Sequence, residues 1–345
     1  MTARTTPRAA GHDYYERLAA AQVAPLWRIP GTTDPEPYVE EVPHVWRWRE
    51  LVPLLHEATQ VMDLGVDQAD RRALNAHNPS RRFGTTHTLV AGYQLVLPGE
   101  TAPAHRHSPG AIRFMLAGSG LTTVEGEPVP MEPGDLVLTP ADTWHDHRHP
   151  GTEPMIWLDG LDVPFVKQMR ANFYEDFPGG GLQPLTRPER DGELRYGPGL
   201  APAGPKPEVN HSPIMNYRWE VAYQALTRLA ETGADPYQGV RLEYTNPLTG
   251  GHVLPTMACY LSLLEGGVAT RALRHTSSTI FCVAGGSGHS IVGGVRLDWE
   301  DRDFFAVPPW TWYEHVPDFG VETVLFSMSD LPLLEPFGLY REELA

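Results

Sequence analysis

Apolar positions recur along this chain with two different periods. From His12 to Gln22 (HDYYERLAAAQ) and again from Trp46 to Met62 the spacing predicts helices. From about His87 the texture changes. THTLVAGYQLVL, AIRFMLAG, LTTVEG, DLVLTP and MIWLDGL are short β-branched and apolar runs separated by Pro-Gly, Gly-Ser-Gly and Glu-Gly-Glu turns, which predicts an antiparallel barrel or sandwich. Between about Asn172 and Pro207 turn formers dominate and no periodicity survives, as in a linker. WEVAYQALTRLAETG then sets Val221, Ala222, Ala225, Leu226 and Leu229 on one helical stripe that stops at Gly233. Beyond it, TMACYLSLLEGG, STIFCVAGG, HSIVGG, DFFAVPPW and ETVLFSMSD return to short strands. The expected division is a helical extension over 1–86, a first β unit over 87–171, a linker and helix over 172–252, and a second β unit over 253–345.

The two β-rich parts align without a gap at a constant shift of 168 positions. Gly99 falls on Gly267, His107 on His275, Gly118 on Gly286, Gly120 on Gly288, Gly126 on Gly294, Pro140 on Pro308, Trp144 on Trp312 and His147 on His315. The shared residues are mainly turn glycines and a strand-end proline, where backbone geometry restricts the choice of side chain, so they indicate a duplicated β unit.

Composition narrows the function. A length of 345 residues suits about two cores, and 41% hydrophobic with 20% charged residues is an ordinary globular balance without any apolar run long enough to span a membrane. The formal charge of −16 argues against a nucleic-acid partner. Cys259 and Cys282 are the only cysteines, too few for a disulfide framework or a Cys-ligated zinc, and a cytoplasmic protein is expected. The first residues are basic but lack a following apolar stretch, so they read as a disordered tail and not a secretory signal.

Two histidine pairs carry the candidate chemistry. His105 and His107 are two residues apart, so in a strand both imidazoles project to one face while Arg106 points away. His145 and His147 have the same parity, which gives four histidines that could converge on one interior point. Three neutral imidazoles make a metal site with open positions. Solvated loop histidines are the plainer reading, and the repeat context weighs against it.

Gly99, His105-Arg106-His107 and Gly118, followed by Gly134, Pro140 and His145, resemble the two cupin motifs, and the duplication makes the chain similar to a bicupin. Position 111 holds Ala where the usual motif has a Glu ligand, which separates it from oxalate-decarboxylase-like bicupins and resembles gentisate 1,2-dioxygenases with their salicylate and 1-hydroxy-2-naphthoate relatives. LAAAQVAPLW, DRRALNAHNP, LVAGYQLVLPGE, TWHDHRHPGTEPMIWLDGLDVP and LEYTNPLTGG extend the likeness over most of the chain. The resemblance implies a mainly β fold of two antiparallel double-stranded β-helix (jelly-roll) barrels with added N-terminal and linker helices. It makes His105, His107 and His145 the ligands of about one Fe(II) per chain. Arg113 would grip a substrate carboxylate, His147 and Asp159 would form a hydrogen-bonded pair beside the substrate hydroxyl, and Gln94 and Trp157 would line the pocket. A homotetramer is implied as well. In the second unit the equivalent positions are Leu273, Tyr313 and Phe281, so that barrel is expected to hold no metal and to serve packing or a subunit interface.

The implied reaction opens the ring of a 2-hydroxybenzoate with O₂, gentisate giving maleylpyruvate first, with salicylate or 1-hydroxy-2-naphthoate cleavage and non-catalytic binding of an aromatic acid as alternatives. Triplet O₂ needs a metal that can pass it an electron, which Zn cannot do and Fe(II) can, although three imidazoles would also bind Zn, Cu or Ni. Three neutral ligands leave the ion's charge uncompensated and favour a doubly anionic substrate. A surface ion pair for Arg113, a structural partner for His147 and a turn role for Asp159 are the competing readings. Arg71 and Arg72 are expected on a charged helix face, outside the site. Small residues at Val90, Ala91 and Gly92 are expected to leave room for a bulky ring.

Overall fold

The computed structural model describes residues 11–62, 71–197 and 199–345, so the expected tail over 1–10 lies outside the described residues. The chain divides at Glu40. The first unit contains the helix Gly11–Ala20 and a 3-10 turn Leu26–Arg28, with the Arg28 guanidinium 3.3 Å from the Tyr15 ring centroid. The rest, from Glu41 to Ala345, is built from four antiparallel sheets, two in each β half.

The shift of 168 that aligns the sequences also carries strand onto strand. Val90–Val96, Ala111–Ala117, Leu136–Thr139 and Met155–Leu161 correspond to Ala258–Leu264, Thr279–Gly285, Phe304–Val307 and Thr323–Ser329. These strands occupy the same relative places in two six-stranded sheets. Each half adds a five-stranded sheet facing the six-stranded one, so the fold is a duplicated double-layered cup, as the resemblance to bicupins implies; no sheet closes on itself. Among the described residues no helix is long and apolar enough to cross a membrane.

The strands of the six-stranded sheets are apolar on both faces because both are covered. Inner positions line the cup and outer positions meet the other half. Phe114 stacks on Phe326 with ring centroids 4.3 Å apart, and Tyr93 reaches across to donate to the Arg302 carbonyl at 2.7 Å. One continuous core therefore includes Ala91, Tyr93, Phe114 and Leu158 from the first half and Leu261, Cys282, Phe326 and Met328 from the second. Cys259 and Cys282 are free thiols buried in it.

The segments that precede each half cross to the opposite one. Strand His44–Trp46 pairs with Phe304–Val307, and the Trp48 amide at the start of helix Trp48–Glu57 donates to Asp303 at 2.7 Å. Strand Asn216–Tyr217 pairs with Leu136–Thr139, and the Trp219 amide that opens helix Trp219–Ala230 donates to Asp135 at 2.8 Å. Asp135 and Asp303 are equivalent under the repeat, so each half supplies the carboxylate that satisfies the open amides of a helix N-terminus. Gly134 makes room for this docking, since a Cβ there would lie 2.5 Å from the Trp219 indole.

Two expectations are corrected here. The apolar run from Trp46 to Met62 is not all helix: it begins with the end of a strand and closes with a 3-10 turn, Ala58–Gln60. The stretch from Asn172 to Pro207 is not structureless. It supplies an edge strand, Tyr174–Asp176, a helix, Asp191–Tyr196, and the buried Gln183, whose side chain accepts from the Gly126 amide at 2.8 Å and donates to the Thr123 carbonyl at 2.9 Å. The order there comes from pairing with a sheet already built, which leaves no periodic trace in the sequence.

Candidate metal centre

His105 and His107 lie on strand Thr101–His107, and His145 and His147 on the neighbouring strand His145–Arg148. His105 stands directly opposite His145, and a bulge between Ala102 and His105, at Pro103, sets that register. The imidazole centroids of His105 and His145 are 4.2 Å apart, those of His107 and His145 4.8 Å, and those of His105 and His107 5.3 Å. One ring nitrogen from each lies within 4.8 Å of the others, the only group of three or more potential metal-ligating residues that comes together in this way among the described residues.

The backbone sets the tautomer of His107 and His145. Nδ1 of His107 is 2.7 Å from the Pro109 carbonyl, and Nδ1 of His145 is 3.0 Å from that of Thr143. A carbonyl can only accept, so in both rings Nδ1 carries the hydrogen and Nε2 keeps its lone pair. Nδ1 of His105 faces the Pro103 carbonyl at 3.2 Å and the Arg71 guanidinium as well. Burial, helped by the Arg71 charge, lowers the His105 pKa to about 2, and burial lowers that of His107 to about 4. Burial drives His145 well below its ordinary value. The three rings are neutral donors at any physiological pH, which is the form a metal takes. Nε2 of His145 is buried without a hydrogen-bond partner. These residues fit a divalent metal of the imidazole-binding class.

The inner face of the six-stranded sheet supplies the opposite wall. Arg113, 3% exposed, points inward although Pro109-Gly110 precedes its strand. Its Nη1 donates to Thr139 Oγ1 at 2.7 Å, and its Nε faces Asp159 Oδ1 across 3.5 Å. Asp159 is its register partner and also accepts from Trp157 Nε1 at 2.7 Å. Burial raises the Asp159 carboxyl above the usual carboxylate range against the pull of Arg113, and burial lowers the Arg113 guanidinium. Gln94 is the register partner of Trp157 and buries its Nε2 without a partner.

The structure separates the expected His147–Asp159 pair. His147 Nδ1 bonds to Thr122 Oγ1 at 2.8 Å, and its ring packs on Trp157 with centroids 5.2 Å apart. The two residues sit on opposing sheets, and the Trp157 indole takes the carboxylate that His147 was expected to meet. The Thr122 hydroxyl donates to Met131 Sδ at 3.0 Å, so His147 Nδ1 is the donor to Thr122. Nε2 of His147 is left buried, unpartnered and carrying its lone pair.

Sequence reasoning set aside one residue that the structure brings in. Arg71 and Arg72 are not helical; they lead into the strand Ala73–Asn75 and point to opposite sides. Arg72 turns away to a bidentate pair with Glu100, 2.9 Å for each contact. Arg71 lies against the His105 imidazole and donates to the Pro103 carbonyl at 3.0 Å. The alternation of two adjacent arginines at a strand start was the available signal. Tyr174, on the edge strand beside the ligand strand, stacks on His105 at 5.2 Å. Of the small residues expected to leave room for a ring, Ala91 faces the shared core, and Gly92 lets the strand Ala73–Asn75 pack closely, since a Cβ there would lie 2.2 Å from the Leu74 carbonyl oxygen.

Fold and site together define a cupin with a candidate three-histidine metal site beside a buried arginine. Residues 92–161 match the Cupin domain family. The chain is 38% identical to a 5-aminosalicylate 1,2-dioxygenase from Comamonas sp, covering 95% of this chain and 89% of that protein. It is 37% identical to a gentisate 1,2-dioxygenase from Aquipseudomonas alcaligenes, covering 96% and 95%. A solved structure of a salicylate 1,2-dioxygenase variant from Pseudoaminobacter salicylatoxidans, in complex with gentisate, superposes with a TM-score of 0.89 at 34% identity, covering 100% of this chain and 98% of that one. The chain belongs to the family of gentisate, salicylate and hydroxynaphthoate 1,2-dioxygenases, oxidoreductases that incorporate O₂.

Proposed function

We propose that this protein is an Fe(II)-dependent dioxygenase that cleaves the ring of a 2-hydroxybenzoate between the carboxyl-bearing and hydroxyl-bearing carbons, with gentisate as substrate and maleylpyruvate as product. The carrying observation is that His145 Nε2, His147 Nε2 and Gln94 Nε2 are buried without hydrogen-bond partners in one cup, beside the Arg113–Asp159 ion pair. Buried polar atoms are normally satisfied, so this concentration marks the place of a polar ligand.

His105, His107 and His145 would hold the iron through their Nε2 atoms. Bound there, Fe(II) supplies the electrons that activate O₂ and a positive charge that favours an ortho-hydroxy carboxylate. The remaining tasks belong to the chain. Arg113 offers its planar fork to the carboxylate, already held in line by Thr139 and Asp159. Arg71 places a second guanidinium beside the His105 imidazole. His147 takes the phenolic proton on Nε2, while its Nδ1 stays anchored to Thr122. Burial keeps this imidazole neutral, and the proton it takes would be held by the negative charge the substrate brings into the cup. Asp159 acts on Arg113 and Trp157, Gln94 turns its amide to the ring substituents, and the Trp157 indole walls the pocket.

Relatives named for gentisate and for 5-aminosalicylate share the 2-hydroxybenzoate frame with a donor group at position 5, which supports gentisate over salicylate. We further propose a cytoplasmic homotetramer. Oxygen uptake measured across gentisate, 5-aminosalicylate, salicylate and 1-hydroxy-2-naphthoate with the iron-loaded protein tests the assignment. Fastest uptake with gentisate is expected, and no uptake with any of them would overturn it.

A further inference from the structure

The second half keeps a cavity beside the place that matches the first half's site, whose own equivalents Phe281, Tyr313, His315 and Leu325 leave almost no space. The cavity's volume is about 440 Å³, and its walls include Arg241, Tyr260, His275, Ser277 and Tyr340. Under the repeat, His275 takes the place of His107 and Tyr260 that of Gly92. Arg241 takes the place of Ala73, in the strand that carries Arg71 to the first site, and pairs with Ser262 as Ala73 pairs with Gln94. The metal chemistry is lost here. His275 spends Nδ1 on Ser277 and Nε2 on the Tyr313 hydroxyl at 3.1 Å, while His315 bonds Ser290 at 2.8 Å.

What the second cavity gains is a cation. The Arg241 guanidinium lies 3.8 Å from the Tyr260 ring centroid, and its Nε is buried without an acceptor. The acids on the same walls keep their charge but are turned to other partners: Glu243 to His252 at 2.5 Å, Glu342 to the Tyr340 hydroxyl at 2.8 Å, and Asp235 to the amides of Tyr237 and Gln238 at 2.8 and 2.9 Å. Burial and the Arg241 charge lower His275 to about 4 and His315 to about 3, so neither adds a positive charge at neutral pH. The Arg241 guanidinium thus leaves a place for one anionic group, and the acids around it limit that group to a single charge. Tyrosine rings beside it suit a flat apolar body, and the volume falls within the range of small-molecule sites.

We propose that the metal-free second cup is a binding site for a monoanionic aromatic carboxylate, with Arg241 as the carboxylate contact and Tyr260 and Tyr340 as the ring walls. This site does not depend on the reading of the first cup. The test titrates the full iron-loaded chain under nitrogen with 4-fluorobenzoate and follows bound probe by fluorine NMR. A bound population should survive Arg113→Leu, which removes the first cup's carboxylate contact, and weaken about tenfold or more with Arg241→Leu. Arg241→Lys keeps the charge without the fork and should also weaken it. Loss of all binding with Arg113→Leu alone, unchanged binding in both Arg241 variants, or no bound probe in the parent protein would each overturn the site.

Discussion

Thr88 and Asp330, 242 residues apart in the chain, share a hydrogen bond of 2.5 Å that joins the two halves. One repeat on, Thr256 stands toward Asp162 and works against the burial that raises its carboxyl to about 6. Asp162 also donates its amide to the Gly110 carbonyl at 3.3 Å, next to the Pro109 carbonyl that orients His107. The second half therefore comes close to the loop that orients His107. Thr88→Val should destabilise the protein by about 1–3 kcal/mol, because Asp330 is buried and loses a donor. Denaturant unfolding checks this; a Thr88 variant as stable as the parent would show the bond carries no load.

The iron count follows from the donor set. About one iron per chain is expected, given a single cluster of three neutral imidazoles and the ligand number a stable site needs. His105→Ala should lose both bound iron and oxygen uptake. Elemental analysis giving two irons per chain would contradict this.

Arg113 is buried and aimed at the substrate space, so its loss should act on substrate and spare the metal. Arg113→Ala should lower kcat/KM by about 2–5 kcal/mol, as truncating a buried charge contact does, and Arg113→Lys should restore little of it. Iron content near that of the parent, measured on the same sample, separates this from unfolding.

Glu127 gives a pH dependence away from the site. Burial raises its carboxyl to about 7, opposed chiefly by the Gly192 amide, which donates to it at 3.2 Å. A folded-state value above the unfolded one means the folded protein binds the proton more tightly, so this contribution lowers stability as pH rises from about 4.5 to 7. Glu127→Gln keeps the accepting oxygen and should flatten that part of the profile, gaining on the order of 1–3 kcal/mol at pH 8. Unfolding curves across this range that coincide for variant and parent would exclude it.

Much of the fold and part of the site were legible in the residues themselves. The repeat was visible because its glycines and Pro140/Pro308 mark turns where few side chains are tolerated, and strand parity put His105 and His107 on one face before any contact was known. Parity could not place Arg113 after Pro109-Gly110, nor distinguish His147–Asp159 from Arg113–Asp159, since all three are inward positions, Arg113 and Asp159 on one sheet and His147 on the sheet facing it. Which inward residue meets which depends on sheet separation and register, and neither is encoded locally.

Local sequence thus determined the elements, the duplication and the candidate metal donors, because these depend on neighbours within a few positions. The tertiary structure alone decided that Arg71 and not Arg72 turns to the histidines, and that the leading segments dock on opposite halves at Asp303 and Asp135. It also joined the halves through the Thr88–Asp330 hydrogen bond. These contacts link residues tens to hundreds of positions apart, and they form only when burying the shared apolar faces has brought the sheets together.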